Sequence, residues 1–437
     1  MRSLHNVRFA SVLGLVVLPL LHSACADDSD SADGREGAAG NAGKASGGSS
    51  STGGKAPAPG GEHGGAGGAE QGDGGAVASG AAAGDGAGGD AAEAAGGVAG
   101  EGGETPAGPT STRGRLLVAD ADPENPRMLV VDLDDGSVAG EFATLGTVSA
   151  YASESTSGYA WANQRVPGVV EIVASGIHRA DDGTILKAAP YILGERLQGP
   201  LPTHWVSHDE WITSFNDGNG SFDFVLERSL GGTRPLLSRA TTGQAHHGVA
   251  MISHGNVFAT VPHPLASSGE PGPGSAYILP IGVSVRRLAT PDVLVPDLTR
   301  EDCPVLHGEA GNDEVVAFGC GDGVLLAQRV EGTFQFRKLP NPPSTPAGQR
   351  VGSLRAVDGV PVVVGNWGQG FAIIPYEAAQ PTWITVDLAA ANTGFLIDPE
   401  SLDLIVLAGD GSLRRFDALT GAPVGASLTQ VVPAVLA

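Results

Sequence analysis

The sequence predicts an all-β protein, a seven-bladed β-propeller that follows a disordered Gly/Ala-rich tether. From Arg115 onward, short apolar or β-branched runs alternate with turns rich in Gly, Asp, Asn and Pro, as in EVVAFGCGDGVLLAQ and VPVVVGN. These units recur about every 40 to 50 residues, which is the period of four-stranded propeller blades. About seven such units fit into the folded part, which we place at residues 114–437.

The first 25 residues have the pattern of a secretion signal that ends in a lipobox-like cysteine. Positive charges precede an apolar run from Phe9 to Leu21, and small residues lead to Cys25. The run is short for a membrane span. We therefore predict export to the periplasm or cell envelope, with a lipid anchor on Cys25. Ordinary cleavage near Ala24 or Ala26, without lipid attachment, is the alternative.

Residues 26–113 form a region of different composition, which separates the signal from the folded domain. Gly, Ala, Ser, Asp, Glu and Pro dominate this region, and it contains no aromatic residue. Such a segment cannot bury enough apolar surface to offset the entropy of ordering its backbone. We therefore predict a disordered linker here.

The charge of the chain excludes some classes of partner. The formal net charge is -23 at pH 7, so no basic patch is expected that could neutralise the phosphates of a nucleic acid. Anionic lipid surfaces are excluded for the same reason, which leaves the lipid anchor as the predicted membrane contact. Cations and basic patches on other proteins fit this charge.

Three histidines occupy equivalent positions in three consecutive repeats: His204, His247 and His307. Each opens a segment that contains a short strand, a turn, an apolar strand and a polar turn, as in THWVSHDEWITSFNDGNGSF and VLHGEAGNDEVVAFGCGDGVLL. Two later repeats carry Arg355 and Phe395 near this position, so the histidine is an addition to the repeat. Because a propeller surrounds an axial channel, equivalent positions in neighbouring blades should face one funnel.

Further potential ligands lie close to these histidines. Asp217 and His263 fall where the next strand returns to the same face, and His246 directly precedes His247. Imidazoles with a carboxylate suit Zn²⁺ above all, with Cu²⁺ and Ni²⁺ as competitors. The alternative is a structural hydrogen-bonding role for each histidine, or a turn role for Asp217 and His263. The predicted metal ligands are His204, His247, His307, His246, His263 and Asp217.

The cysteine content supports export. Without Cys25, the three cysteines leave one pair, Cys303 and Cys320. A disulfide between them would suit an oxidising compartment and would flank the strands that follow His307. A Cys/His metal site is the competing interpretation.

Two resemblances to known families accompany these patterns. The blade LLVADADPENPRMLVVDLDDGSVAGEF resembles the YVTN type of repeat, which makes the predicted propeller WD40/YVTN-like although no WD dipeptide closes a blade. The segments CPVLHGEAGNDEVVAFGCGDGVLL, HWVSHDEWITSFNDGNGS and AHHGVA resemble the periplasmic β-propeller zinc metallochaperones of zinc ABC transporters, the AztD-like family.

The metallochaperone resemblance implies a zinc-binding propeller that hands its metal to the periplasmic solute-binding protein of a zinc ABC transporter. His204, His247 and His307 match the motif histidines. The chain departs from the expected pattern in its tether, where His63 is the one histidine, and in its predicted lipid anchor.

Two other functions remain open from the sequence. Repeated loops at the propeller rim would also serve a periplasmic or surface protein-interaction propeller without metal. A funnel with His and Asp would alternatively permit a metal-dependent, lactonase-like hydrolysis. No candidate nucleophile stands beside a histidine in a recognised arrangement, so we predict that the protein is not an enzyme.

Overall fold

The computed structural model describes residues 16–18, 112–120, 122, 124–153, 158–180, 182–271, 277–378 and 381–429. All of these residues fall in one compact unit. The predicted lipidation site Cys25 and nearly all of the predicted signal and tether lie outside the described residues. The described strands form seven successive blade sheets and one inserted two-stranded hairpin, which confirms the predicted seven-bladed, all-β propeller.

The first three blades run from the axis outward in chain order, apart from a small inserted hairpin. Blade 1 comprises β1 (Val16–Leu18), β2 (Arg115–Asp120), β3 (Arg127–Asp132) and β4 (Val138–Ala143); blade 2 comprises β5 (Ser149–Ala152), β6 (Tyr159–Gln164), β7 (Val169–Ala174) and β10 (Tyr191–Gln198); the hairpin is β8 (Ile177–Arg179) and β9 (Ile185–Lys187); blade 3 comprises β11 (Pro202–His208), β12 (Trp211–Asn216), β13 (Ser221–Leu226) and β14 (Leu237–Thr241).

The remaining four blades repeat the same order, and two short 3₁₀ helices, Glu227–Ser229 and Pro296–Leu298, lie in connections. Blade 4 comprises β15 (Ala250–Ser253), β16 (Asn256–Val261), β17 (Gly282–Arg287) and β18 (Thr290–Leu294); blade 5 comprises β19 (Glu309–Gly311), β20 (Val315–Cys320), β21 (Gly323–Val330) and β22 (Thr333–Pro340); blade 6 comprises β23 (Leu354–Arg355), β24 (Val362–Trp367), β25 (Gly370–Pro375) and β26 (Ile384–Val386); blade 7 comprises β27 (Asn392–Ile397), β28 (Asp403–Ala408) and β29 (Leu413–Asp417).

Blade 1 differs from the others at its inner edge. The short strand β1 lies within the predicted secretion signal and pairs in parallel with β2, whereas the inner strands of the other blades pair antiparallel with their neighbours. If the predicted signal is removed during export, blade 1 keeps β2, β3 and β4. Blade 7 gains a fourth extended segment through bridges from Leu413 to Leu428 and from Phe416 to Pro423.

Apolar side chains from adjacent blades form the core. Six hydrophobic clusters lie at the junctions of successive blades, from the junction of blades 1 and 2 to that of blades 6 and 7. Strand β13, with the sequence SFDFVL, is buried at all six positions because it packs between neighbouring sheets. Removal of this much apolar surface from water is the main stabilising contribution to such a fold.

The chain direction within a blade determines where the functional positions lie. In blades 3, 4 and 5, the first strand pairs antiparallel with the second, and the second pairs antiparallel with the third. The start of the inner strand, the turn after the second strand and the connection from the preceding blade therefore share one end of the propeller. We call this end the funnel end, and it carries all three equivalent histidines.

A disulfide joins Cys303 to Cys320, as predicted, with 4.9 Å between their Cα atoms. Both side chains are fully buried. The bond ties the connection ahead of β19 to the end of β20, and the backbone N–H of His307 donates to the carbonyl of Gly319 at 2.9 Å beside it. The cross-link therefore holds the segment that carries His307.

Within the described residues, no helix is long and apolar enough to cross a membrane.

Replacing both Cys303 and Cys320 with Ser should lower the free energy of unfolding by about 3 kcal/mol, because the bond closes a short loop and removes entropy from the unfolded chain. Urea unfolding of the variant and of the oxidised wild type would measure this difference. Addition of a reductant should destabilise the wild type alone. Equal stability of the double serine variant and the oxidised wild type would contradict a structural role for the bond.

Candidate metal centre

The three equivalent histidines converge at the funnel end. His204 lies in β11, and His247 and His307 lie in the connections just ahead of β15 and β19. One ring nitrogen from each lies within 4.8 Å of those of the other two, and among the described residues this is the group that could hold a metal ion. His247 is buried, and the other two are partly buried. The strand-start position in three neighbouring blades produces this convergence.

The rings of the three histidines face one another closely. The Nε2 atoms of His204 and His247 are 3.1 Å apart. The ring centroids of His204 and His307 are 5.5 Å apart, and those of His247 and His307 are 5.4 Å apart. The three imidazoles thus form a compact triangle.

A buried carboxylate orients His247. Its Nδ1 donates to Oδ2 of Asp217 at 2.7 Å, and Asp217 lies in the turn between β12 and β13. Because a carboxylate only accepts, the proton of a neutral His247 ring belongs on Nδ1 and the lone pair on Nε2. A carboxylate behind a metal-binding histidine has the same effect in many proteins. Asp217 therefore orients the His247 ring through Nδ1 and leaves Nε2 as the atom that could bind a metal ion.

A backbone carbonyl orients His307 in the same way. Its Nδ1 donates to the carbonyl oxygen of Gly352 at 2.7 Å, in the connection ahead of β23. A carbonyl oxygen is also an acceptor only, so Nε2 of a neutral His307 carries the lone pair. Two rings are therefore held in the tautomer that presents Nε2 as a ligand atom.

The short Nε2 to Nε2 contact constrains the protonation of His204. With the lone pair of His247 on Nε2, two facing lone pairs at 3.1 Å would repel each other. A proton on Nε2 of His204 or a shared cation removes this repulsion. The geometry therefore favours a positive charge or a hydrogen between the two nitrogens.

Burial keeps these rings neutral. The pKa values of His204 and His247 lie well below the usual range, first because burial penalises the charged imidazolium and then because neighbouring histidines add repulsion. Neutral imidazole is the form that binds metal ions. Protons therefore compete less strongly for this centre than for exposed histidines.

Asp217 is held by several donors. Its Oδ2 accepts from Thr203 Oγ1 at 2.8 Å and from Arg165 Nη1 at 3.0 Å, in addition to His247. Burial raises the pKa of Asp217 to about 7, while Arg165 and Thr203 act in the opposite direction. The guanidinium and the hydroxyl thus favour the charged carboxylate in a site that otherwise disfavours it.

The donor set fits zinc. A tetrahedral zinc ion with Zn–N bonds of about 2.0 Å places its ligand nitrogens about 3.3 Å apart. The His204 and His247 nitrogens already lie 3.1 Å apart, and one ring nitrogen of His307 lies within 4.8 Å of the ligand nitrogens of both. Cu²⁺ and Ni²⁺ favour square-planar or tetragonal arrangements, which this triangle matches less well.

The other predicted ligands lie elsewhere. His246 is fully buried, and its two ring nitrogens contact the carbonyl of Gln244 and the hydroxyl of Thr260, both at 2.8 Å. His263 is partly buried, and its Nδ1 accepts the backbone N–H of Leu265 at 3.1 Å. Neither residue belongs to the three-histidine group.

Several residues at the site carry no clear signal in the sequence. Tyr277 stacks on His247 with ring centroids 4.2 Å apart, and Arg165 reaches Asp217 from blade 2. Tyr277 lies in the long connection between β16 and β17, which no repeat register places, and Arg165 lies in the turn between β6 and β7 of a blade that lacks the histidine. Further along the inner surface, Arg355 stands 5.5 Å from the ring of Phe395, the two residues that replace the histidine in later repeats.

Fold and site together define a class: a seven-bladed β-propeller with a three-histidine centre, able to hold a metal ion, at one end of its axis. No protein-family model matches the chain. The chain is 28% identical over 314 residues to the zinc chaperone AztD of Citrobacter koseri, a match that covers 71% of this chain and 70% of the relative.

Solved structures agree with this match. The structure of apo AztD from Citrobacter koseri superposes with a TM-score of 0.62 at 27% identity and covers 72% of this chain and 80% of that one. The crystal structure of Citrobacter koseri AztD has the same TM-score and identity, and covers 72% of this chain and 81% of that one. The resemblance to AztD-like proteins that the sequence predicts is confirmed.

The neutral, buried state of His204 predicts a pH effect on stability without metal. An unfolded histidine gains a proton below pH about 6.5, whereas folded His204 does not, so stability is complete above that pH and is lost as pH falls below it. The wild-type protein should lose free energy of unfolding between pH 7.5 and 5.5. In His204→Gln this loss should be smaller by about 1 kcal/mol. Urea unfolding in the presence of a chelator measures it; an unchanged pH dependence would contradict the burial of this ring.

Proposed function

We propose that the protein is an exported zinc-binding β-propeller, metallochaperone-like, that holds Zn²⁺ through His204, His247 and His307 and passes it to a zinc-transport partner. The observation that carries the proposal is the convergence of one nitrogen from each of these rings within 4.8 Å. The zinc ion is the cargo of the protein. The similarity to a protein described as a zinc chaperone supports the same function.

The chemistry of the donors supports reversible holding. Three protein ligands leave one position of a tetrahedral zinc ion open. A water molecule or a donor atom from a recipient protein can occupy that position, so that ligands can be exchanged one at a time. A closed four-ligand site would oppose such exchange.

The surroundings of the centre support affinity and tautomer control. Asp217 and the Gly352 carbonyl hold the Nδ1 protons of His247 and His307, respectively. Partners behind metal ligands commonly change affinity about 10-fold to 100-fold when they are removed. The site is therefore built to present neutral imidazoles to a cation.

The proposed recipient is the periplasmic solute-binding protein of a zinc ABC transporter, as the family resemblance implies. The Cys303–Cys320 disulfide supports an oxidising, extracytoplasmic location. We propose attachment to the membrane through a lipid on Cys25. Binding and transfer, without turnover of a substrate, is the activity that we propose.

Replacing His204, His247 or His307 singly with Ala should weaken zinc binding by more than about tenfold, because each change opens the coordination shell while the strands stay paired. Calorimetric titration of the metal-free mature chain measures stoichiometry and affinity. His263→Ala is the matched control and should bind zinc like the wild type, because its ring lies outside the cluster.

The same titration, together with an assay of lactone hydrolysis, separates the alternatives. Absence of zinc binding by the wild-type protein would refute the proposed function and leave a protein-interaction propeller. Hydrolysis of a lactone that depends on added zinc would favour the hydrolase. Equal losses in the His263→Ala control would show that the effects are unspecific.

A further inference from the structure

One guanidinium links three blades beside the metal centre. Arg165 lies in the turn between β6 and β7 of blade 2. Its Nη1 donates to Asp217 Oδ2 at 3.0 Å and to the carbonyl of Leu201 at 3.3 Å. Its Nη2 donates to the carbonyl of Gly269 at 2.8 Å and to Glu270 Oε1 at 3.1 Å. The two arms therefore reach blade 3 and the connection between β16 and β17 of blade 4.

The first arm acts on the carboxylate that orients His247. Oδ2 of Asp217 accepts at once from His247, Thr203 and Arg165. The Arg165 side chain is 18% exposed and that of Asp217 is 0% exposed. Charge-assisted hydrogen bonds are strong in such buried surroundings. Among the described ion pairs, Arg165 is the one partner of Asp217 that carries a permanent charge, since a histidine is charged only when protonated. Loss of the guanidinium would therefore remove that charge from beside the carboxylate.

The second arm acts on a connection that covers the same carboxylate. Gly269 packs so closely on Asp217 that a Cβ at Gly269 would overlap the backbone and Cβ of that residue. Further along the same connection, Tyr277 stacks on the ring of His247. The connection thus contacts both the orienting carboxylate and a metal ligand, and Arg165 fastens it to the first of these.

We propose that Arg165 is a positioning residue for the metal centre. It holds the Asp217 carboxylate on Nδ1 of His247 and fastens Gly269 and Glu270 of the β16–β17 connection beside that carboxylate, and so slows the release of the bound ion. This inference deepens the proposed function and rests on it for the release of metal. The orientation of His247 by Arg165 applies to the metal-free protein as well.

The planar fork of arginine explains why this residue type is required. A guanidinium presents donors in two directions at fixed geometry, whereas the ammonium group of lysine is a single point charge. Lysine at position 165 would satisfy Asp217 or the connection, but not both. Arg165→Lys should therefore keep part of the orientation of His247 and little of the attachment of the connection.

The kinetic test measures zinc release from the loaded full-length mature protein into an excess of chelator by stopped flow. Arg165→Met should release zinc about tenfold faster, as expected for loss of a partner behind a metal ligand. The zinc release rate of Arg165→Lys should lie between those of the wild type and Arg165→Met. Glu270→Gln, which weakens the second arm alone, should accelerate release less than Arg165→Met.

Arg239→Met is the matched control. Arg239 also pairs with a buried carboxylate of blade 3, donating from Nε to Asp223 Oδ1 at 2.7 Å and from Nη2 to Asp223 Oδ2 at 2.8 Å. Neither residue of that pair belongs to the three-histidine group. Arg239→Met should reduce stability to a similar degree and leave the zinc release rate unchanged.

A second measurement needs no metal. In protein with ¹⁵N-labelled histidine, the Nδ1–H of His247 should give a hydrogen-bonded NMR signal, which is assigned by its absence in His247→Gln. Arg165→Met should shift or broaden this signal, Arg165→Lys should restore it in part, and Arg239→Met should leave it unchanged. If Arg165→Met does not fold, Arg165→Lys and Glu270→Gln carry both measurements.

The outcomes separate the two proposals. Failure of the wild type to bind zinc would refute the proposed function, and the NMR measurement would still decide whether Arg165 orients His247. Zinc binding with wild-type release rates and an unchanged His247 signal in the Arg165 variants would overturn the present inference. Equal acceleration in Arg239→Met would also overturn it, because the effect would then follow general destabilisation.

Discussion

The hydrogen bond from His247 Nδ1 to the buried carboxylate of Asp217, 2.7 Å long, is the interaction on which the candidate metal centre depends. It joins blade 3 to the connection ahead of blade 4 and directs Nε2 of His247 towards His204. The carboxylate is buried, so its charge must be balanced locally. Thr203 and Arg165 supply that balance.

The architecture separates stability from function. Apolar clusters at the blade junctions hold the sheets together, whereas the polar groups of the centre lie at the start of β11 and in turns and connections at the funnel end. Strands are thereby free to pack, and the connections are free to carry ligands. The disulfide reinforces one of these connections and so stabilises the placement of His307 without contributing a ligand. This division suits the proposed binding of an ion, which needs no change of fold.

Much of the fold was predictable from local patterns. Alternation of apolar runs with Gly- and Asp-rich turns predicts strands, and their spacing predicts blades, because each strand pair is close in sequence. The hairpin β8–β9 and the long connection after β16 disturb the spacing without changing the blade count. His204, His247 and His307 were found because a repeat converts equal register into spatial proximity. Arg165 and Tyr277 were not, since Arg165 lies in a blade without the histidine and Tyr277 lies in the long connection outside the register.

The sequence by itself determined the class of fold, the equivalence of the three histidines and the pairing of Cys303 with Cys320, since these depend on period, composition and count. Only the tertiary structure decided which neighbours serve the centre. It places His246 in hydrogen bonds of the core, leaves His263 in a connection and turns Asp217 to the rear of His247. The physical reason is that side-chain direction and long-range contact depend on how the blades pack, which adjacent residues in a sequence do not reveal.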